Sequence, residues 1–456
     1  LAYLAYIFTG GVLAYLLPRQ ARNLPQTDSF YGIGRGPDRA VLVEEPQDAF
    51  ARRVEVIRTA QSTLDVCYHC VKSGETTECF FAELLRAADR GVRVRVLLDG
   101  TVGGLSGARS NIALALRAHP NIEYRIYNPV DLLRPWEWNA LLHDKFILAD
   151  DRMLLLGGRN IGDEYFAPPG YEGAVTYDRD VLVLNDLAGT PDFSESVTAQ
   201  AKIYMDTLWD APETDKFGTL SPSRRADGLA AQEYLKETAA RWEAAAPSFY
   251  LPSEPASQCA VPTQRVTLLH NPVSPFKKEP TLGATLAQLL SGCQKIRLQT
   301  PYATANPSTL AALTRLAKQG HVEYLTNSMA SSPNYPYSSQ RAKFLATGVE
   351  IYEYQSTDSI HGKSCVADGR ISVVGSFNLD DRSLYIDTES VLIIDSPEFF
   401  AQLNAELDTL FAQSAAVGPD NAYLPGSGAT ALNVSLGKRL LMGFVSIFSR
   451  LFRFLI

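Results

Sequence analysis

The sequence predicts an α/β protein made of two similar halves, each a mixed to largely parallel sheet flanked by helices. Three observations predict it. Short apolar, β-branched runs alternate with stretches of helical spacing along the chain. The alternation runs twice, in the same order. Each pass closes on the same pattern, His-x-Lys-x4-Asp, at one constant offset and without gaps. The length of 456 residues fits this, since one ordinary core serves roughly 200 residues.

In the first half the alternation gives a helix over Asp48–Ala60, a strand over Thr63–Tyr68, a helix over Cys79–Arg90 and a strand over Val92–Leu98. A helix over Ser110–Ala118 and a strand over Ile122–Tyr127 follow. In the second half the same order gives a helix over Thr281–Ser291, strand Lys295–Thr300, helix Pro307–Gln319 and strand Val322–Thr326. A helix near Ser339–Ala346 and strand Val349–Tyr354 close the series. Strands alternating with helices imply parallel neighbours at the centre of each sheet. Between the halves, Thr214–Gln264 is rich in Ala, Pro, Ser and charge and reads as a helical insertion plus linker.

Two terminal segments differ from the rest. Leu1–Leu17 is apolar and uncharged, closed by Pro18, Arg19 and Arg22. It is slightly shorter than the roughly 20 residues a helix needs to span a bilayer, and it reads as a membrane anchor or part of one. From Asn421 to Ile456 there is no acidic residue, while Lys438, Arg439, Arg450 and Arg453 punctuate Leu440, Phe444, Phe448, Leu451 and Phe454. That composition suits a helix lying beside anionic lipid; the alternative is a terminal helix docked on the core. Arg19 and Arg22 suggest a cytoplasmic flank.

The formal net charge is −8, and no basic aromatic groove is apparent, which speaks against a nucleic-acid binder. Six cysteines show no zinc-finger spacing. Cys67 and Cys70 form a C-x-x-C, but Cys67 lies in an apolar run, which disfavours a redox motif. Cys70 and Cys79 flank a short loop and are candidates for a bridge, which would place the domain in an oxidising compartment.

The motif copies carry the chemistry. The first is His143-Asp-Lys-Phe-Ile-Leu-Ala-Asp150, continuing to Gly157-Gly-Arg-Asn160; the second is His361-Gly-Lys-Ser-Cys-Val-Ala-Asp368, continuing to Gly375-Ser-Phe-Asn378. Strand alternation puts His143 and Lys145 on one face, and His361 and Lys363 likewise. An imidazole beside an ammonium suits a phosphate: the lysine balances negative charge, and the imidazole attacks or moves a proton. Asn160 and Asn378 are placed to donate to the same oxygens. Ser376, where the first half has Gly158, offers an extra hydroxyl. Asp150 and Asp368 complete the catalytic pattern. The odd step from Lys145 to Asp150 turns the carboxylate off the lysine's face, so both aspartates are expected to hold turns or pair Arg152 and Arg370. No His or carboxylate cluster has metal-ligand spacing, so neither metal nor cofactor is expected.

From about Asp48 to Leu410 the sequence resembles the phospholipase D superfamily, which carries this motif twice. The segments Gly157–Phe166, Gly375–Ser383, Thr300-Pro-Tyr302 and Leu325–Ser328 are similar to those of bacterial cardiolipin synthases. The resemblance implies a first phospholipase-D-like domain (40–213) and a second (265–415), beside the anchor (1–22), the insertion (214–264) and the basic apolar tail (416–456) that the composition suggests. The two domains would be related by a pseudo-twofold, with one active site between them. It implies a metal-free, two-step mechanism through a phosphohistidine, with His143 as nucleophile and His361 as acid and base. It further implies one acidic residue after each motif that orients its histidine, at Asp180 and Glu389. The activity implied is phosphatidyl transfer between phospholipids such as phosphatidylglycerol and cardiolipin at a bacterial cell membrane. Hydrolysis to phosphatidic acid is the alternative, and a nuclease is disfavoured by the acidic balance.

Because the pattern is duplicated rather than doubled in function, neither half is expected to work alone. His143→Ala and His361→Ala should each abolish turnover in a purified-enzyme assay; near-normal turnover in either variant would show that the halves are separate sites.

Overall fold

The computed structural model describes all residues except 12–18, 188–190, 277, 332–336, 338 and 450–456. The first half contributes β1 (Asp38–Val43), β2 (Thr63–Tyr68), β3 (Arg93–Asp99), β4 (Ile122–Tyr127), β5 (Lys145–Ala149) and β6 (Met153–Gly157). After these come β7 (Thr176–Tyr177), β8 (Asp180–Asn185), β9 (Thr214–Lys216) and β10 (Val261–Pro262). The second half contributes β11 (Arg265–His270), β12 (Lys295–Gln299), β13 (His321–Asn327), β14 (Glu350–Tyr354) and β15 (Ser359–Ile360). It closes with β16 (Lys363–Ala367), β17 (Ile371–Gly375), β18 (Ser390–Asp395), β19 (Ser414–Val417) and β20 (Tyr423–Gly428).

These strands form two nine-stranded sheets, ordered β10-β1-β8-β6-β5-β2-β3-β4-β9 and β11-β18-β17-β16-β12-β13-β14-β19-β20. Both sheets are more antiparallel than the sequence implies. Only β2-β3-β4 and β12-β13-β14 are parallel. β5 turns tightly into β6 and β16 into β17, and longer connections bring β8 and β18 back beside them, so β5-β6-β8 and β16-β17-β18 run antiparallel. Helices Pro46–Thr59 and Glu75–Asp89 cover the outer face of the first sheet, with Phe50, Phe80 and Phe81 buried beneath them.

The inner faces of both sheets share one apolar cluster, which includes Phe146, Leu156 and Val183 from the first half and Val366, Val374 and Ile394 from the second. Two helices lie in this layer, and each packs on the other half's leading strand: Val197–Trp209 on β11 and Pro397–Ala412 on β1.

Some boundaries move for identifiable reasons. The helix expected from Cys79 begins at Glu75, because the Asp163 carboxylate accepts the Glu75 and Thr76 N–H groups at 3.2 and 2.9 Å. The segment expected as insertion and linker belongs to the first domain: β9 and β10 form the two edges of its sheet, and helix Pro222–Ala245 packs on Glu75–Asp89 and Ser110–Ala118. Between β10 in the first sheet and β11 in the second lie only Thr263 and Gln264. Both are tied down, the Thr263 hydroxyl to Asp38 O at 2.6 Å and Gln264 N to Asp395 O at 2.8 Å.

Cys70 and Cys79 are unbridged. Cys79 faces the core from its helix, and burial pushes its thiol up to about 12. Of the expected anchor, Ala2–Gly11 is a helix, residues 12–18 lie outside the described residues, and 19–22 follow without helix or strand. Of the expected tail, Leu436–Ser449 is a helix, while Arg450, Leu451, Arg453 and Phe454 lie outside them. Among the described residues, no helix is long and apolar enough to cross a membrane.

Asp150 and Asp368 sit at the far ends of β5 and β16, about 16 Å along the strand from the motif lysines. Asp150, at φ 50°, accepts the N–H groups of Gln61, Ser62 and Thr63 at 2.6 to 2.8 Å. Asp368, also at φ 50°, accepts those of Gln294 and Lys295. Arg370 pairs with Asp395 rather than Asp368. Both motif aspartates therefore pin the turn leading into the sheet's central parallel strand. Asp150→Ala should lower stability by about 1–3 kcal/mol in urea unfolding, through orphaned turn donors and the left-handed backbone, with turnover in the cold unchanged. A large loss of turnover in folded protein would place Asp150 in the chemistry instead.

Candidate active site

Each motif histidine stands just ahead of its strand and is held by the opposite half. His143 N donates to Thr388 Oγ1 at 3.1 Å and lies 3.2 Å from Thr388 O, while Thr388 N returns a bond to Leu141 O at 3.0 Å. His361 N donates to Tyr177 O at 2.6 Å, continuing the two-stranded pairing of β15 with β7. The residues next to these backbone partners are the carboxylates that meet the rings. Glu389 Oε1 lies 2.9 Å from His143 Nδ1, off the line of a straight hydrogen bond. Asp178 Oδ2 lies 2.5 Å from His361 Nδ1.

The carboxylate beside His361 is thus Asp178, where the sequence suggested Asp180 as an orienting residue. Asp180 is consumed by two buried arginines, Arg53 at 3.0 Å and Arg159 at 2.7 Å. Sheet register explains the shift. Gly157 pairs with Asp180, whereas the equivalent Gly375 pairs with Val391. Two residues before each partner stand Asp178 and Glu389, so these are the equivalent positions.

The lysines reach back to the same histidines. Lys145 Nζ donates to His143 O. Lys363 Nζ donates to His361 O at 2.6 Å and lies 3.0 Å from His361 Nε2. Ser376 is fully buried, and its hydroxyl donates to Glu389 Oε2 and accepts from Ser390 N at 3.0 Å. It steadies the carboxylate instead of facing the phosphate space. A side chain at Gly158 would run into Asp178 Oδ1, so the first half has no room for such a hydroxyl. Asn160 and Asn378 are both buried. Asn160 accepts from Cys70 N at 3.3 Å and donates to Tyr165 OH at 3.1 Å; Asn378 N donates to Ser383 Oγ at 3.3 Å.

Several site residues were not singled out from sequence. His69 follows β2; its ring centroid lies 4.6 Å from that of His143, and its Nδ1 lies 2.9 Å from Leu142 O. The signal is the antiparallel β2–β5 register, which sets Tyr68 opposite Lys145. Tyr165 and Tyr302, from opposite halves, present rings at 5.9 Å from His361. Arg179 ties the halves together, donating to Glu44 in the first and to Gln299 and Ser364 in the second.

The electrostatics of the two histidines differ. Burial, Lys145 and His69 hold His143 well below its usual range. Burial and Lys363 push His361 down to about 4, with Asp178 pulling the other way. Burial would raise Asp178, but Lys363 and His361 hold it low and ionised. Burial holds Glu389 well above the carboxylate range, only partly offset by Lys145. Burial pushes Lys363 down to about 7, with Asp178 opposing. Among the described residues no cluster of His, Cys, Asp and Glu is arranged to hold a metal.

Two histidines, two lysines and two crossed carboxylates at the seam of a duplicated α/β fold define a phospholipase D-type phosphodiester enzyme. The profile of the family described as "Cardiolipin synthase, PLD-like domain" matches residues 54–183 and 286–411. The chain belongs to that family, which makes it a phosphatidyltransferase of the phospholipase D superfamily. Cardiolipin synthase C of Escherichia coli is 30% identical over 414 residues, covering 82% of this chain and 84% of that protein. Cardiolipin synthase A of Buchnera aphidicola is 24% identical over 370 residues, covering 78% and 66%. The fold is like that of the phosphatidylserine synthase of Haemophilus influenzae, with a TM-score of 0.64, 16% identity and coverage of 91% and 95%.

The crossed pairing separates the two aspartates experimentally. Asp178→Asn should cut turnover by about 10²–10⁴-fold with the fold intact, because His361 loses the charge that supports its protonated form. Asp180→Asn should instead cost about 3–5 kcal/mol of stability in urea unfolding, because Arg53 and Arg159 lose their buried partner. The reverse pattern would restore Asp180 as the orienting residue. For Lys363 the sign is set by a lowered pKa: its ammonium form is present below about 7 and lost above it. The kcat/KM for an anionic phosphodiester should therefore fall as pH rises through about 7, and a flat profile across that range would remove the lysine from phosphate binding.

Proposed function

We propose that the protein makes cardiolipin by moving a phosphatidyl group from one phospholipid to the hydroxyl of another through a phosphohistidine at His143. The observation that carries this is the crossed pairing of each histidine with the other half's carboxylate, in two electrically different versions. Burial holds the His143 pKa down and the Glu389 pKa up, which favours the uncharged form of each and a free Nε2 lone pair on His143 for attack. His361 faces an ionised Asp178, which favours a protonated ring, and a bound phosphodiester anion adds to that pull.

In the first step His143 Nε2 bonds to phosphorus, the bond to the leaving glycerol oxygen breaks, and His361 gives that oxygen its proton. In the second step the acceptor hydroxyl loses its proton to His361, its oxygen bonds to phosphorus, and the bond to His143 breaks. Lys145 and Lys363 balance the charge of the phosphoryl oxygens.

Attachment to a membrane surface supports transfer over hydrolysis. The helix Ala2–Gly11 exposes Leu4 and Phe8, with Leu1 just ahead of it, and its Tyr3 and Tyr6 hydroxyls donate to Leu132 O and Leu133 O in the loop leading to His143. The helix Leu436–Ser449 exposes Leu436, Leu440, Leu441 and Phe444, with Lys438 and Arg439 among them. Such surfaces suit the headgroup region of a bilayer, where acceptor hydroxyls are concentrated and water is partly excluded.

The test is purified protein with labelled phosphatidylglycerol in vesicles, followed by lipid analysis. Cardiolipin and glycerol are expected; phosphatidic acid alone would make the enzyme a hydrolase. Removing residues from Leu436 onward should weaken vesicle binding and raise the ratio of phosphatidic acid to cardiolipin. An unchanged ratio and unchanged binding in the folded, truncated protein would leave the tail a docked helix only.

A further inference from the structure

We infer that a cavity in the second half, between the sheet and the helices Thr281–Leu289 and Pro307–Gln319, is the seat of one fatty acyl chain of the phospholipid substrate. This rests on the phosphatidyl-transfer reading and adds to it where the apolar end of the substrate lies. The cavity measures about 260 Å³, and its walls are mainly apolar. One end reaches Lys363, the lysine assigned to the phosphate; Leu298, Cys365 and Val373 form part of the wall. The helix side is walled by small residues, Gly283, Ala284, Ala287 and Ala312, and Arg315 stands exposed where the gap between the helices meets solvent.

The first half shows that this space is not a by-product of the fold. Its corresponding volume is filled. Strand register sets Leu64 opposite Ala149 and Ile296 opposite Ala367, the same place in the two motif strands. Counted forward from there without a gap, Tyr68 corresponds to Thr300 and Phe80 to Ala312. Tyr68 and Phe80 are buried to within 1% and pack edge to face at 5.6 Å. Arg53 closes the same cluster, donating to Tyr68 OH at 3.0 Å and pairing with Asp180. In the second half the aromatic pair is replaced by a threonine and an alanine, and the aspartate's place is taken by Val391. Protein interiors are close-packed and unfilled apolar space destabilises them. A hollow where the other half packs buried aromatics, ending on a phosphate-binding lysine, fits an apolar ligand joined to a phosphate.

The chemistry of the occupant follows. An acyl chain begins a few bonds from the phosphorus of a glycerophospholipid. At about 30 Å³ per water-sized group, the cavity holds roughly nine such groups, enough for the first part of a long chain. The opening between the two helices lets the remainder leave toward solvent or bilayer. A soluble phosphodiester has nothing to place there.

The experiment compares dipalmitoyl with dibutyryl phosphatidylglycerol, using Ala312→Phe, which restores the other half's residue, and Ala287→Leu at the mouth. Both variants should lower kcat/KM for the dipalmitoyl lipid by at least about tenfold, which excluding two methylene groups already amounts to. Their kcat/KM for the dibutyryl lipid should stay unchanged. In parallel, phosphatidylglycerol carrying a diazirine on one acyl chain should label the full-length wild-type protein on the two helices, and label Ala312→Phe there much less. Equal activity of wild type and variants on the long chain, or equal loss on both chain lengths with labelling unmoved, overturns the proposal. Labelling on the helices without any transfer keeps the acyl site and removes the transfer reading; transfer with labelling elsewhere does the opposite.

Discussion

The structure depends on one exchange across its seam: each half supplies the backbone and the carboxylate that hold the other half's histidine. Leu142 bridges to Thr388, and Ile360 pairs with Tyr177, so Glu389 and Asp178 arrive at rings that their own sheets do not carry. A buried imidazole beside a buried ammonium is costly unless a partner of opposite charge or a hydrogen-bond acceptor is supplied. Each lysine finds a carbonyl within its own half, but each histidine ring meets its carboxylate only from the other half. The two sheets must therefore face each other, which is also what their shared apolar cluster and exchanged helices require. Packing and site electrostatics select the same arrangement, the kind of agreement between levels that gives a fold one solution.

Within that near-symmetric frame a few substitutions make the halves unequal. The shorter Asp178 occupies the space left by Gly158 and touches His361, whereas the longer Glu389 is met by the Ser376 hydroxyl. Asp178 has Lys363, His361 and Arg159 around it and stays charged; Glu389 has Lys145 opposing burial and Asp387 adding to it. Two copies of one pattern thus carry carboxylates held in opposite directions, Asp178 low and Glu389 high. In the proposed mechanism that difference would divide attack and proton transfer between rings that the sequence writes identically.

Much of this was legible from residues alone. The strands at Thr63–Tyr68, Ile122–Tyr127 and Lys295–Thr300 were visible because they are short, apolar and bounded, and the paired motifs located the histidines and lysines. What escaped depends on pairing rather than periodicity. The antiparallel returns of β6 and β8 cannot be told from parallel strands by alternation. The choice of Asp178 over Asp180 turns on strand register, since Gly157 pairs with Asp180 as Gly375 pairs with Val391, two residues past each carboxylate. The early start of the helix at Glu75 comes from Asp163, far along the chain. His69 becomes a neighbour of His143 only because β2 and β5 lie side by side. The stretch before Val261 looked like a linker because its composition is that of one; its end is an edge strand.

That edge strand has a mechanical consequence. The chain leaves the first sheet at Pro262 and enters the second at Arg265, with Thr263 and Gln264 each bonded to a different sheet. A connection this short, stitched on both sides, has no slack for the halves to swing apart as a clamshell would. Near the amino terminus Phe30 is buried in the second half's core before the chain crosses to β1, a second strap over the same seam. With the lobes stitched in this way, exchange of substrates and products would fall to side chains and loops at the mouth of the site instead of to rigid-body breathing of two lobes.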